Sequence, residues 1–132
     1  MKIKKQVYES LIRHAKEGYP NEACGLLAGT HEGDGDYFFP MTNMDKSSVS
    51  YFMDPKEQLD VFKAMRKSVI QMTGIYHSHV ASEAYPSEKD MRLAFYPGVS
   101  YLIVSLSDME KPNLRSYKIE NGTVKEESLE ID

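Results

Sequence analysis

The chain has 132 residues, 41% of them hydrophobic and 27% charged, with a net charge of −4, which is length for one domain around one core and a composition ordinary for globular proteins. No apolar run approaches the roughly 20 residues that span a bilayer, and no clustered basic patch offers a track for phosphates, so membrane-spanning and nucleic-acid-binding classes are excluded. The single cysteine, Cys24, excludes disulfide scaffolds and CxxC zinc or redox sites and fits a reducing, cytoplasmic setting; the basic start Met1-Lys2-Ile3-Lys4-Lys5 leads into an amphipathic stretch, so no secretory signal is expected.

From Lys5 to about Gly18 the positions Val7, Leu11 and Ala15 fall at helical spacing. Gly18 and Pro20 stop this helix. Cys24 to Gly29 reads as a buried strand, Thr30 to Asp36 as a turn, and Tyr37 to Met41 as the returning strand of a hairpin. A further short strand is predicted over Val49–Met53. Asp54-Pro55 has the cap-then-proline order that opens helices, and this second helix runs to about Lys67 or Ser68. Val69 to His79 is β-like, Val80 to Pro86 a loop, and Ser87 to Phe95 a third helix. Val99 to Leu106 carries the strongest strand signal, dominated by Val, Ile, Leu and Tyr. Asn121-Gly122, between runs over Asn113–Glu120 and Thr123–Glu127, is a type I′ hairpin signal. With no repeat or linker, the chain reads as a single α/β domain, residues 1–132, of about three helices and six or seven strands. His14 and His31 lie in polar settings and are expected at the surface, and Cys24 is expected as a buried strand residue.

The chemistry-bearing stretch is His77-Ser78-His79, followed after seven residues by Ser87 and two residues later by Asp90. Side chains alternate along a strand, so His77 and His79 share a face. Asp90 lies at the start of the next helix, where the loop can return it to the same point. Two imidazoles and one carboxylate make three ligands, which with a water is the arrangement of a catalytic zinc site; a structural site closes with four. Ser87-Glu88-Lys89-Asp90 also fits a helix capping box, so Ser87 serves the helix start as well as the site.

His77-Ser78-His79-x7-Ser87-x2-Asp90, with Glu22 upstream in Asn21-Glu22-Ala23-Cys24-Gly25-Leu26-Leu27, resembles the JAMM (JAB1/MPN/Mov34) metalloprotease family in its minimal prokaryotic form, over essentially the whole chain. The resemblance implies a cytidine-deaminase-like α/β sandwich with a mixed central sheet, and a zinc-dependent peptidase or isopeptidase with one Zn2+ per chain. It makes His77, His79 and Asp90 the metal ligands and Glu22 the general base toward the zinc-bound water. Ser87 becomes, with zinc, the stabiliser of the developing oxyanion. Cytidine deaminases themselves fit poorly, because they need a Pro-Cys-x-x-Cys ligand pair. Periodicity alone does not bring Glu22 to the metal.

Similarity to the short prokaryotic members implies a ubiquitin-like or sulfur-carrier protein as partner, cut after a C-terminal Gly-Gly tail, either by trimming or by release of a cysteine formed on the tail. A tail without side chains threads a narrow groove beside a sheet edge, and 42–53 and 80–86 are the segments expected to wall it. Two alternatives stay open from the sequence: a zinc hydrolase of a small peptide or amino-acid conjugate, and a catalytically silent scaffold. A homodimer stays open as well.

Overall fold

Two residues at the start of the chain, Lys2–Ile3 (β1), are the first of nine strands in the computed structural model, which describes residues 1–132 and holds three helices. Helix α1 (Lys5–Gly18) forms as the spacing predicts, with Val7, Leu11 and Ala15 all buried on one stripe. Strand β2 (Cys24–Gly29) is buried at all six positions, as a strand covered on both faces must be. The turn expected over 30–36 contains a short strand, β3 (Asp34–Gly35), which pairs in parallel with β1. Gly35 is required there, since a Cβ would lie 2.6 Å from the Ile3 side chain. Strand β4 (Tyr37–Met41) returns antiparallel to β2.

The predicted strand over Val49–Met53 does not form. Residues 42–54 are irregular, with a single bridge between Asn43 and Met53. The Asn43 side chain is the reason: its Nδ2 donates to the Ser50 carbonyl and its Oδ1 accepts from the Phe52 amide, so a side chain takes the place of a neighbouring strand. Helix α2 (Pro55–Lys67) begins as read, with the Asp54 side chain accepting from the Lys56 amide. Strand β5 (Gln71–His79) starts two residues later than expected, because Val69 turns the chain at a φ of 56°. The third helix, α3, spans only Glu88–Arg92 and buries no residue; with no packed face, nothing carries it on to Phe95. Strands β6 (Ser100–Ser105), β7 (Asn113–Glu120) and β8 (Thr123–Glu127) follow as predicted. The β7–β8 turn has the two positive φ values of type I′, 50° at Asn121 and 75° at Gly122. Glu130–Ile131 (β9) closes the chain against β1.

The main sheet has the order β4-β2-β5-β6-β7-β8. It is mixed, as expected: β5 runs antiparallel to β2 on one side and parallel to β6 on the other. A small sheet, β3-β1-β9, adds three two-residue strands and takes the count above the six or seven predicted, because strands so short show no alternation in sequence. One face of the main sheet packs on α1 through Leu27, Tyr76 and Leu102, and the other packs on α2 through Leu26, Ile75 and Ile103. Parallel neighbours require a crossover, and the β5–β6 crossover carries α3. The start of α3 is thereby returned to the carboxyl end of β5. No helix is long and apolar enough to cross a membrane.

Candidate metal centre and active site

Alternation along β5 puts Tyr76 on the α1 face and His77 and His79 on the opposite one. The two histidines are buried, at 3% and 4% exposure. Their Nε2 atoms are 3.1 Å apart, and the Asp90 Oδ2 lies 3.1 Å from the first and 3.0 Å from the second. The sequence-predicted triad is therefore assembled, with three donor atoms converging on one point. Asp90 is placed by the capping box at the start of α3: its amide donates to the Ser87 Oγ, and its Oδ2 accepts from the Ser87 amide at 2.8 Å.

The Nδ1 of His79 is 2.8 Å from the Glu83 carbonyl. A carbonyl only accepts, so Nδ1 carries the proton and the Nε2 lone pair is left for the cluster. Two further bonds secure that carbonyl's loop: Ser105 Oγ donates to the Ser82 carbonyl at 2.7 Å, and the Tyr117 hydroxyl donates to the Ala84 carbonyl. An imidazole lone pair beside a carboxylate oxygen is acceptor against acceptor, and a shared cation resolves it. Donors about 2.0–2.1 Å from one ion in tetrahedral array stand about 3.3 Å apart, close to the spacing found here. Two imidazoles and one carboxylate thus fit a zinc ion with a coordination position left open.

Electrostatics set the three groups apart. Burial pushes Asp90 up, but the His77 and His79 imidazoles and the Ser87 amide more than offset it and hold the carboxyl well below its usual range. Burial lowers His77 and favours the neutral ring that binds metal. In His79 burial is outweighed by the Asp90 carboxylate and the Glu83 carbonyl, which raise it.

Glu22 lies just before β2, and not within a strand, at 6% exposure. Read from periodicity alone it is a surface residue; the fold buries it at the site. Its main chain is fastened by the Ser47 carbonyl, 2.7 Å from its amide, and by Asn43 Nδ2, which donates to its carbonyl. The adjoining Ala23 is tied to Ser78 through both its amide and its carbonyl. The Glu22 carboxylate takes no hydrogen bond from the protein. Burial raises it to about 7, with His79 and Lys89 opposing and Asp90 adding to the rise. A carboxyl poised near neutrality is suited to proton transfer.

Several residues at the site carry no signal in the sequence. Tyr51 stacks on His77, with centroids 4.7 Å apart and planes 26° apart. Asn43 makes four hydrogen bonds, three that organise the loop carrying Tyr51 and one to the Glu22 carbonyl. Both segments expected as groove walls reach the cluster, 42–53 through Tyr51 and 80–86 through the Glu83 carbonyl. Cys24 is fully buried beside His77 in the sheet register, and burial with the charges of Glu57 and Glu22 pushes its thiol up to about 12, so it stays protonated. His31 is exposed as expected. His14 is not: it is half-buried with Nδ1 2.8 Å from the Tyr76 hydroxyl, because α1 packs that edge against the sheet.

Comparison with known proteins follows the same lines. A family model described as prokaryotic homologs of the JAB domain matches residues 4–120. The CysO-cysteine peptidase of Mycobacterium tuberculosis is 41% identical over 130 residues, covering 98% of this chain and 89% of that protein. A desampylase of Haloferax volcanii is 35% identical over 103 residues, 74% of each chain. The solution structure of a protein of Desulfitobacterium hafniense superposes with a TM-score of 0.89 at 42% identity, covering 99% of this chain and 92% of the other. The scaffold alternative gives way before these relatives: the chain belongs to the JAB/JAMM metalloprotease family in its minimal prokaryotic form and is a hydrolase acting on peptide or isopeptide bonds.

Proposed function

We propose that the chain, as one domain over residues 1–132, is a zinc peptidase that hydrolyses the amide bond after the C-terminal Gly-Gly tail of a ubiquitin-like or sulfur-carrier protein. The observation that carries the reading is the convergence of His77, His79 and Asp90 within 3.1 Å beside a buried carboxylate, Glu22, that no protein group binds. His77, His79 and Asp90 hold the metal. Zinc, when bound, supplies Lewis acidity toward the scissile carbonyl and lowers the pKa of water toward neutrality.

The remaining work falls to the chain's own residues. Glu22 takes the proton of the attacking water on its carboxylate and hands it to the leaving amine nitrogen, so it ends the cycle as it began. Ser87 accepts the Asp90 amide on its oxygen and keeps its hydroxyl proton to donate to the oxyanion that develops from the carbonyl. Asp90, fastened by the Ser87 amide, and His79, fastened by the Glu83 carbonyl, keep the ligand geometry from collapsing as charge moves. Loops 42–53 and 80–86 wall the groove in which a tail without side chains lies extended. The substrate of the mycobacterial relative, CysO-cysteine, supports release of a cysteine from such a tail over plain trimming.

The test is a carrier protein whose Gly-Gly tail is extended by one cysteine, incubated with the enzyme and followed by mass spectrometry. Loss of that cysteine, abolished by chelator and restored by zinc, is expected. A short peptide with the same tail cleaved as fast as the whole protein would move the reading to a hydrolase of small amides.

A further inference from the structure

The two histidines of the cluster are held in different ways. His79 is locked by a hydrogen bond from Nδ1 to the Glu83 carbonyl. The Nδ1 of His77 has no partner in the protein, and the polar contacts of this ring are those of Nε2 to His79 and Asp90. Metal-binding imidazoles ordinarily rely on a partner at the second nitrogen to fix the ring plane. The Tyr51 ring is the group that lies against His77: it covers one face at 4.7 Å between centroids and 26° between planes, while His79 meets the ring edge-on at 4.9 Å and 63°. A nearly parallel ring at that distance blocks rotation of the imidazole, and the stack adds attraction of its own.

Tyr51 is itself fixed. Asn43 accepts from the Phe52 amide and donates to the Ser50 carbonyl, so both neighbours of Tyr51 are held by one side chain, and the same amide donates to the Glu22 carbonyl. Thr42, at the head of the loop, is bound through its amide and hydroxyl to the Glu57 carboxylate of α2. We propose that Tyr51 is the positioning residue for His77, its ring doing for that ligand what the Glu83 carbonyl does for His79. The inference rests on reading the cluster as a metal centre. It also makes loop 42–53 a single piece that sets a ligand and the base together, through Tyr51 on one side and Asn43 on the other.

The experiment measures affinity of the full chain for zinc and cobalt by competition with a chromophoric chelator, together with the visible absorption of the cobalt form. Tyr51→Phe keeps the ring and is expected to bind within about twofold of wild type, while Tyr51→Leu removes the planar face and should bind about 10- to 100-fold more weakly, as loss of a ligand's support does. The cobalt spectrum of the Leu variant should change, and that of the Phe variant should not. Circular dichroism of the metal-free proteins establishes that each is folded. If Tyr51→Leu does not fold, Tyr51→Met replaces it under the same criteria. A folded Leu or Met variant with wild-type affinity and spectrum overturns the proposal, and so does a Phe variant as weak as Leu. Wild type that binds neither metal overturns the metal-centre reading itself, a distinct result.

Discussion

The two loops that flank the donor cluster are built on opposite plans. Loop 80–86 is pinned from outside, by Ser105 of β6 and Tyr117 of β7, which donate to its carbonyls. It presents one group, the Glu83 carbonyl, to one ligand, His79. Loop 42–53 is organised largely from within, by three hydrogen bonds of Asn43 to its own loop, with its head tied to Glu57 of α2, and it reaches His77 through Tyr51 and Glu22 through the fourth bond of Asn43. The first arrangement borrows rigidity from the sheet and, on the proposed reading, serves metal binding alone. The second ties the proposed base and a proposed ligand to one side chain, so a single change there is expected to disturb binding and turnover together.

The sharpest separation of the two functions comes from the base. Glu22→Gln should lower kcat by about 10²- to 10⁴-fold, the share a general base supplies, with metal content unchanged by elemental analysis. Unchanged activity would remove Glu22 from its role. Ser87→Ala should keep the metal and cut kcat by about 10²- to 10³-fold, as loss of an oxyanion donor does. Because Ser87 also caps α3, thermal stability should fall by about 1 kcal/mol in the same variant.

The loops themselves are compared by a pair of variants. Asn43→Ala should weaken metal binding and lower kcat at saturating metal, whereas Ser105→Ala should weaken metal binding alone, each by about tenfold, the low end for support of a ligand. Equal behaviour of the two would erase the distinction drawn between the loops. The smallest effect is a pH dependence of stability in chelator-treated protein. Burial raises Glu22 from 4.5 to about 7, so the fold favours its neutral form. That contribution is present in full below pH 4.5 and is lost as pH rises through about 7. Thermal melts of wild type should therefore fall relative to Glu22→Gln across that window, and a constant difference would contradict the assignment.

Much of this molecule is legible in the chain. Val7, Leu11 and Ala15 mark α1, Asp54-Pro55 opens α2, and Asn121-Gly122 closes the last hairpin, because each is a local signal with a local cause. The donor triad is legible for a similar reason: His77 and His79 are two apart on a strand, and Asp90 follows within one crossover. Glu22 is legible only through the family resemblance, since its approach to the site depends on the antiparallel pairing of β2 with β5, which sets Cys24 opposite His77. Tyr51 and Asn43 leave no trace, because an irregular loop held by one side chain has neither period nor motif. The strand expected over Val49–Met53 fails on the same residue, whose amide takes up the bonds that a neighbouring strand would need. The small sheet of β1, β3 and β9 escapes because two-residue strands are chosen by tertiary contact alone.

On the proposed reading, His77, His79 and Asp90 hold one zinc ion. Elemental analysis of the purified protein beside His77→Ala tests it most directly. About one zinc per chain is expected in the wild type, with loss of it in the folded variant. Folded wild-type protein that carries no zinc, even after the metal is added back, would contradict it.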